Sequence, residues 1–201
     1  MAPEGTRLKS LAVSLGADLV GITSSALLTD GPPSADPSYL LPSAKSVISF
    51  ACALDRDKVH DFISKTTWRP HCENRKTIAR TLYQIGDALA EQLRSEGVEA
   101  VNVDLNNNYR PEDGAADVSE MTEFHPEFSH RYAALAAGIG RLGWSGNLLT
   151  HKYGALVELG SVLTSAVLRP DTPIADEDHP CDNCKMCSLV CPVEMIQPNA
   201  S

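Results

Sequence analysis

Basic residues are scarce in this 201-residue sequence: 17 Lys and Arg stand against 26 Asp and Glu, a formal net charge of −9 at pH 7. A protein that holds nucleic acid by neutralising phosphates needs a net or local surplus of cations. No contiguous basic run occurs, so a nucleic acid is not expected among the partners. Long apolar runs are also missing, since nothing approaches the ~18 apolar residues of a membrane span. The N-terminal stretch MAPEGTRLKSLAVSLGADLVGIT places Asp18 inside its only apolar candidate, which argues against a secretory leader there. Cysteine is too sparse and uneven for a disulfide framework: four of the six fall within the eleven residues Cys181 to Cys191, and Cys52 and Cys72 stand alone upstream. Together these absences point to a reducing, cytoplasmic setting.

What is there reads as a globular protein. With 43% hydrophobic and 21% charged residues, the composition suits one domain plus a small appendage. Thr6 to Leu15 repeats apolar residues at helical spacing and ends on Gly16, while Asp18 to Thr23 and Ser46 to Leu54 are short apolar runs with strand character. The longest helical pattern is Glu73 to Glu96, where Ile78, Leu82, Ile85, Leu89 and Leu93 recur every three or four residues. Val98 to Val103 reads as a strand running into Asp104, and Asn106 to Glu127 as a long acidic loop. Long loops inside compact domains are usually functional. His130 to Ala137 is an Ala-rich helix leading into a glycine-rich turn, and Leu156 to Leu163 has strand character.

The C-terminal run is Cys181-x2-Cys184-x2-Cys187-x3-Cys191-Pro192, the spacing of bacterial ferredoxin cluster ligands. Two-residue gaps let one tight loop bring several thiolates to a single cubane cluster while its backbone N–H groups face the sulfurs. A structural zinc site, the competing reading, typically joins two Cys pairs across a longer loop. In two-cluster ferredoxins the fourth Cys of such a run serves the other cluster, and the sequence stops ten residues after Cys191. One cluster, a shortened two-cluster protein and a site completed by a partner subunit therefore all remain open. Cys52 and Cys72 read as small buried hydrophobes.

Gly138-x-Gly140-x-x-Gly143 matches the dinucleotide fingerprint only as a bare pattern. That motif leaves a strand and opens a helix, whereas here a helix precedes it and Trp144-Ser145-Gly146-Asn147 follows. Its glycines better suit a turn or a close backbone approach to a large flat ligand.

The tract from His130 to Thr164, followed by Cys181 to Pro192, resembles the epoxyqueuosine reductases and the cobalamin-dependent reductive dehalogenases related to them. Leu40 to Ile48 and Val101-Asn102-Val103-Asp104 extend the resemblance upstream. It implies an α/β (α+β) fold: a nitroreductase-like cobalamin-binding domain over residues 1–174 and a short ferredoxin-like 4Fe-4S segment over residues 175–201. By the same resemblance Gly140, Gly143, Trp144, Ser145, Gly146, Asn147, Thr150, Tyr153 and Gly154 would lie against the corrin. Cys181, Cys184, Cys187 and Cys191 would hold the cluster, and Asp104 occupies the general-acid position, with Tyr109 and His130 as other candidate proton sources. The sequence departs from the family where a turn lysine is replaced near Gly146, in the acidic insert before His130, and in lacking a second cysteine group and an RNA-binding extension.

The function implied is a cobalamin-dependent iron–sulfur oxidoreductase acting on a small molecule, with electrons drawn from a donor such as ferredoxin or flavodoxin. Two alternatives stand beside it: a ferredoxin-like electron-transfer subunit without cobalamin, and reduction of epoxyqueuosine in tRNA. The net charge weighs against the second.

Overall fold

The computed structural model describes residues 4–105 and 126–196. A four-stranded, wholly antiparallel sheet in the order β1-β2-β6-β3 organises it. The strands are β1 (Leu19–Ser24), β2 (Ser46–Ala53), β3 (Ala100–Asn102) and β6 (Val157–Thr164). Mixed helix and strand content is as expected, and the antiparallel order places the fold on the α+β side of that expectation.

Side-chain alternation along β2 divides the core. Ile48, Phe50 and Cys52 pack with Leu82, Ile85 and Leu89 of the long helix α3 (Arg69–Ser95) and with Leu8 and Ala12 of α1 (Glu4–Ser14). Val47 and Ala51 point the other way, towards Ala133 and Ala134 of α4 (His130–Ala136). Successive residues of a strand face opposite sides, so a strand covered on both faces must be apolar throughout, and β2 is buried over seven of its eight residues. β6 repeats the division: Val162 faces α3 and Leu163 faces α4.

The predicted elements recur with shifted ends. α3 begins at Arg69 rather than Glu73, with Pro70 in its first turn, where a missing N–H costs nothing. A helix that periodicity does not reveal, α2 (Arg56–Ile63), buries no residue; the Asp55 carboxylate caps it by accepting from the N–H groups of Asp57 and Lys58. Between α4 and β6 lies a small hairpin of β4 (Arg141–Leu142) and β5 (Leu148–Leu149), and the tail carries a short α5 (Met186–Val190). Among the described residues no helix is long and apolar enough to cross a membrane.

Candidate functional site

The cysteine tail is fastened to the β4 edge of the hairpin. His179 Nδ1 accepts from the Cys181 N–H at 2.9 Å, so the ring proton sits on Nε2, which donates to the Leu142 carbonyl at 3.2 Å. Arg141 donates from Nη1 to the Ile174 carbonyl at 3.0 Å and pairs with Asp176. Beyond this clamp the chain curls tightly, with Asn183, Lys185 and Glu194 in the left-handed region at φ 62°, 58° and 50°. That conformation is unfavourable for residues with a Cβ. The Asp182 carboxylate accepts from the Cys184 N–H at 3.1 Å. Cys181, Cys187 and Cys191 are half-buried and Cys184 is exposed. Backbone N–H groups of Val193 and Met195, then Ile196 and Glu194, hold the Cys191 thiol below its usual value. Donor chemistry, curled backbone and N–H groups aimed at sulfur all suit a multi-iron cluster. Among the described residues no three His, Cys, Asp or Glu side chains converge on a single ion.

The glycine-rich turn faces this tail. Gly143 N–H donates to the Asn147 carbonyl at 3.0 Å and Gly146 N–H to the Gly143 carbonyl at 2.9 Å, which closes the β4–β5 connection. The motif therefore leads α4 into β4, and its last glycine opens the turn to β5, instead of leading a strand into a helix. A Cβ on Gly143 would stand 2.6 Å from Leu149 Cδ1 and 3.7 Å from Cys181 Sγ, so bare backbone confronts the first cysteine. Leu142, Gly143, Trp144, Ser145 and Gly146 line a cleft of about 750 Å³ opposite His179, Cys181 and Asn183. Lys185 Nζ lies 5.3 Å above the Trp144 ring. A tail cation thus stands beside the glycine-rich turn.

A second cleft, about 280 Å³, opens on the far side of the hairpin tip between Leu105, His130, Arg131, Asn147 and Glu158. Arg131 Nη1 donates to the Gly146 carbonyl at 2.7 Å and ties α4 to that tip. Gly146 lines the first cleft and Asn147 the second, so the tip is their common wall.

His130 is only 2% exposed, and both ring nitrogens are engaged: Nδ1 with Ser161 Oγ at 2.9 Å and Nε2 with the Asp104 carbonyl at 3.0 Å. Because a carbonyl can only accept, Nε2 carries the proton and Nδ1 accepts from the serine hydroxyl. Burial pushes the imidazole below 6.5, partly countered by the bond to Asp104. In this geometry His130 pins the Asp104 backbone. The Asp104 side chain is exposed, and its Oδ1 accepts from Tyr83 Oη at 3.4 Å. Tyr83, Ser161, His179, Arg141 and Arg131 escape sequence reasoning because each acts through a partner distant in the chain. Tyr109 and most of the acidic insert lie outside the described residues.

A stability prediction follows for His130. Its pKa is depressed in the folded state, so on acidification the unfolded chain takes up the proton first. The stability it contributes is intact above pH 6.5 and is lost as pH falls from there towards the folded value. His130→Ala should cost about 3–5 kcal/mol, through the cavity and the two polar groups left without partners. His130→Gln should flatten this part of the pH dependence in urea melts between about pH 5 and 7.

The remaining candidates have other surroundings. The Thr150 hydroxyl, buried, donates to the Gly154 carbonyl at 3.1 Å and accepts from the Tyr153 N–H at 3.0 Å, and Tyr153 Oη donates to Asp18 at 3.0 Å. Gly140 packs against the Leu149 carbonyl. None of these, nor Gly154, lines either cleft. Cys52 is buried on β2, with its thiol pushed up to about 12 by burial and then by Asp18.

No family model matches the chain. It is similar to curated epoxyqueuosine reductases: 29% identical over 157 residues to that of Bacillus cereus, covering 78% of this chain and 37% of the relative. It is 26% identical over 161 residues to that of Lactococcus garvieae, covering 80% and 41%. The chain thus spans well under half the length of these relatives. Among solved structures it resembles an epoxyqueuosine reductase crystallised with a tRNA-Tyr epoxyqueuosine-modified stem loop (TM-score 0.62, 21% identity, 96% of this chain and 52% of that one). It also resembles a catabolic reductive dehalogenase in complex with 3-bromo-4-hydroxybenzoic acid (TM-score 0.65, 18% identity, 94% and 25%). These likenesses establish a shared fold.

Proposed function

We propose that the chain is a cobalamin-dependent iron–sulfur reductase, with residues 1–174 as a nitroreductase-like corrinoid-binding domain and residues 175–201 as a ferredoxin-type segment. The observation that carries this reading is the cysteine tail clamped against a bare glycine hairpin, with a cleft between them and Cys181 Sγ 3.7 Å from the Cβ position of Gly143. Cys181, Cys184, Cys187 and Cys191 would hold a 4Fe-4S cluster, and Gly143, Trp144, Ser145 and Gly146 would back the corrinoid. Bound there, the two groups supply electron transfer to cobalt and reduction at it. The chain's own residues do the rest: Asp104 would pass a proton to the substrate, Tyr83 orients its carboxyl group, and His130 fixes its backbone. Electrons would come from a ferredoxin or flavodoxin in the cytoplasm.

Anaerobic reconstitution tests the reading. The purified chain should take up about four irons and four sulfides and retain one cobalamin through gel filtration, with the spectrum of its base-off form. A bound cluster without retained cobalamin would support an electron-transfer subunit, and zinc in place of iron would sink both.

Reduction of epoxyqueuosine in tRNA is a second reading, favoured by the names of the curated relatives and by the stem loop held by one structural neighbour. The expectation against nucleic acid is accordingly corrected. It rested on the net charge of −9 and the lack of a contiguous basic run, but seven of the 17 Lys and Arg and only three of the 26 Asp and Glu fall between Arg56 and Arg80.

A further inference from the structure

The surface of α2 and the first half of α3 is unlike the rest of the molecule. Residues 56–80 carry a net charge of +4 in a chain of −9. Lys58 pairs with Asp55 and Arg75 with Glu158. Arg56, Lys65, Arg69, Lys76 and Arg80 are exposed and have no ion-pair partner among the described residues. Arg69, Lys76 and Arg80 follow one another at seven and four residues, which puts them on one face of α3 over about 16 Å of its length. Glu73 shares that face, and Asp57 is the other exposed acid in the segment.

Large apolar groups stand among these cations. Trp68 is 63% exposed at the start of α3, and Phe62 and Ile63 at the end of α2 are 45% and 71% exposed. Phe62 lies 4.8 Å from the His71 ring, centroid to centroid, at an interplanar angle of 37°. The same unit borders the second cleft, because Arg75 Nε donates at 2.7 Å to Glu158, which lines that cleft.

We propose that the α2–α3 unit is a docking surface for RNA with unpaired bases, such as a stem loop, and that it delivers the loop towards the cleft beside His130 and Asp104. This rests on the tRNA reading above and identifies the surface that would serve it. Unpartnered cations match a phosphate backbone, and exposed aromatic rings stack on splayed bases whose faces a duplex would conceal. Trp and Arg also anchor protein–protein interfaces, so binding of an acidic protein in place of RNA is an outcome the test must exclude.

The test measures binding, not turnover, so its failure is separate from failure of the reductase reading. A fluorescein-labelled RNA stem loop and a fully paired duplex of equal length are titrated with the 201-residue chain by anisotropy, between about 50 and 200 mM salt. The stem loop should bind more tightly than the duplex. The combined variant Lys65→Gln, Arg69→Gln, Lys76→Gln and Arg80→Gln should weaken stem-loop binding at least about tenfold and reduce the salt slope by about two to three, at roughly 0.7 per phosphate contact. Trp68→Ala should weaken it at least about fivefold with the slope unchanged. Matching circular dichroism and melting curves establish that both variants fold. Unchanged affinity and slope in the charge variant would overturn the proposal. So would equal affinity for the duplex, or salt-sensitive binding of purified flavodoxin in place of RNA.

Discussion

Replacing Cys187 by Ser should lower bound iron from about four per chain to below one after anaerobic reconstitution, and should abolish reduction, with little effect on the melt of the folded domain. The two outcomes separate because the tail adds nothing to the core. α5 buries no residue, and none of the three hydrophobic clusters includes a residue beyond Leu168. Substitutions away from buried contacts usually stay within about 0.5 kcal/mol. Cys52→Ala is the internal control and should behave in the opposite way. It removes a buried thiol from the α3 face of β2, which should cost about 1–2 kcal/mol while iron content is unchanged. Full iron in Cys187→Ser, or lost iron in Cys52→Ala, would require a different ligand set.

That contrast also shows which features the sequence makes legible. The cysteine run is readable because its geometry is local: gaps of two and three residues fix what one loop can wrap. The apolar period of α3 and the unbroken apolar run of β2 are readable for the same reason, since burial imposes its period on adjacent residues. The order β1-β2-β6-β3 is not, because it depends on β2 pairing with a strand on the far side of α3, α4 and the hairpin. Helix α2 is missed because it buries nothing and so leaves no apolar period. His130 is visible as a residue type but its role is not, since that role is set by Ser161 and the Asp104 carbonyl. Net charge misleads in a related way: a sum over the chain conceals the +4 segment at residues 56–80.

Asp104→Asn is expected to lower turnover by about 10²–10⁴-fold, the usual contribution of a positioned general acid, while cluster and cobalamin contents stay at wild-type levels. The carboxylate can be tested this cleanly because the backbone that carries it is anchored independently. Its carbonyl is held by His130, its neighbours Val103 and Leu105 are buried, and its own side chain is exposed. Amide replacement therefore removes the acid function and leaves the frame. Tyr83→Phe removes only the hydroxyl that donates to Asp104 Oδ1, so it should cost about tenfold or less, in line with ~1 kcal/mol for one hydrogen bond. Combined with Asp104→Asn it should add almost nothing, because two residues acting through one proton are not additive. Single-turnover reduction with a saturating electron donor separates the proton step from electron delivery. If Asp104→Asn turns over at the wild-type rate while Tyr109→Phe does not, the proton comes from Tyr109, and the Tyr83–Asp104 pair is then only a contact between α3 and the end of β3.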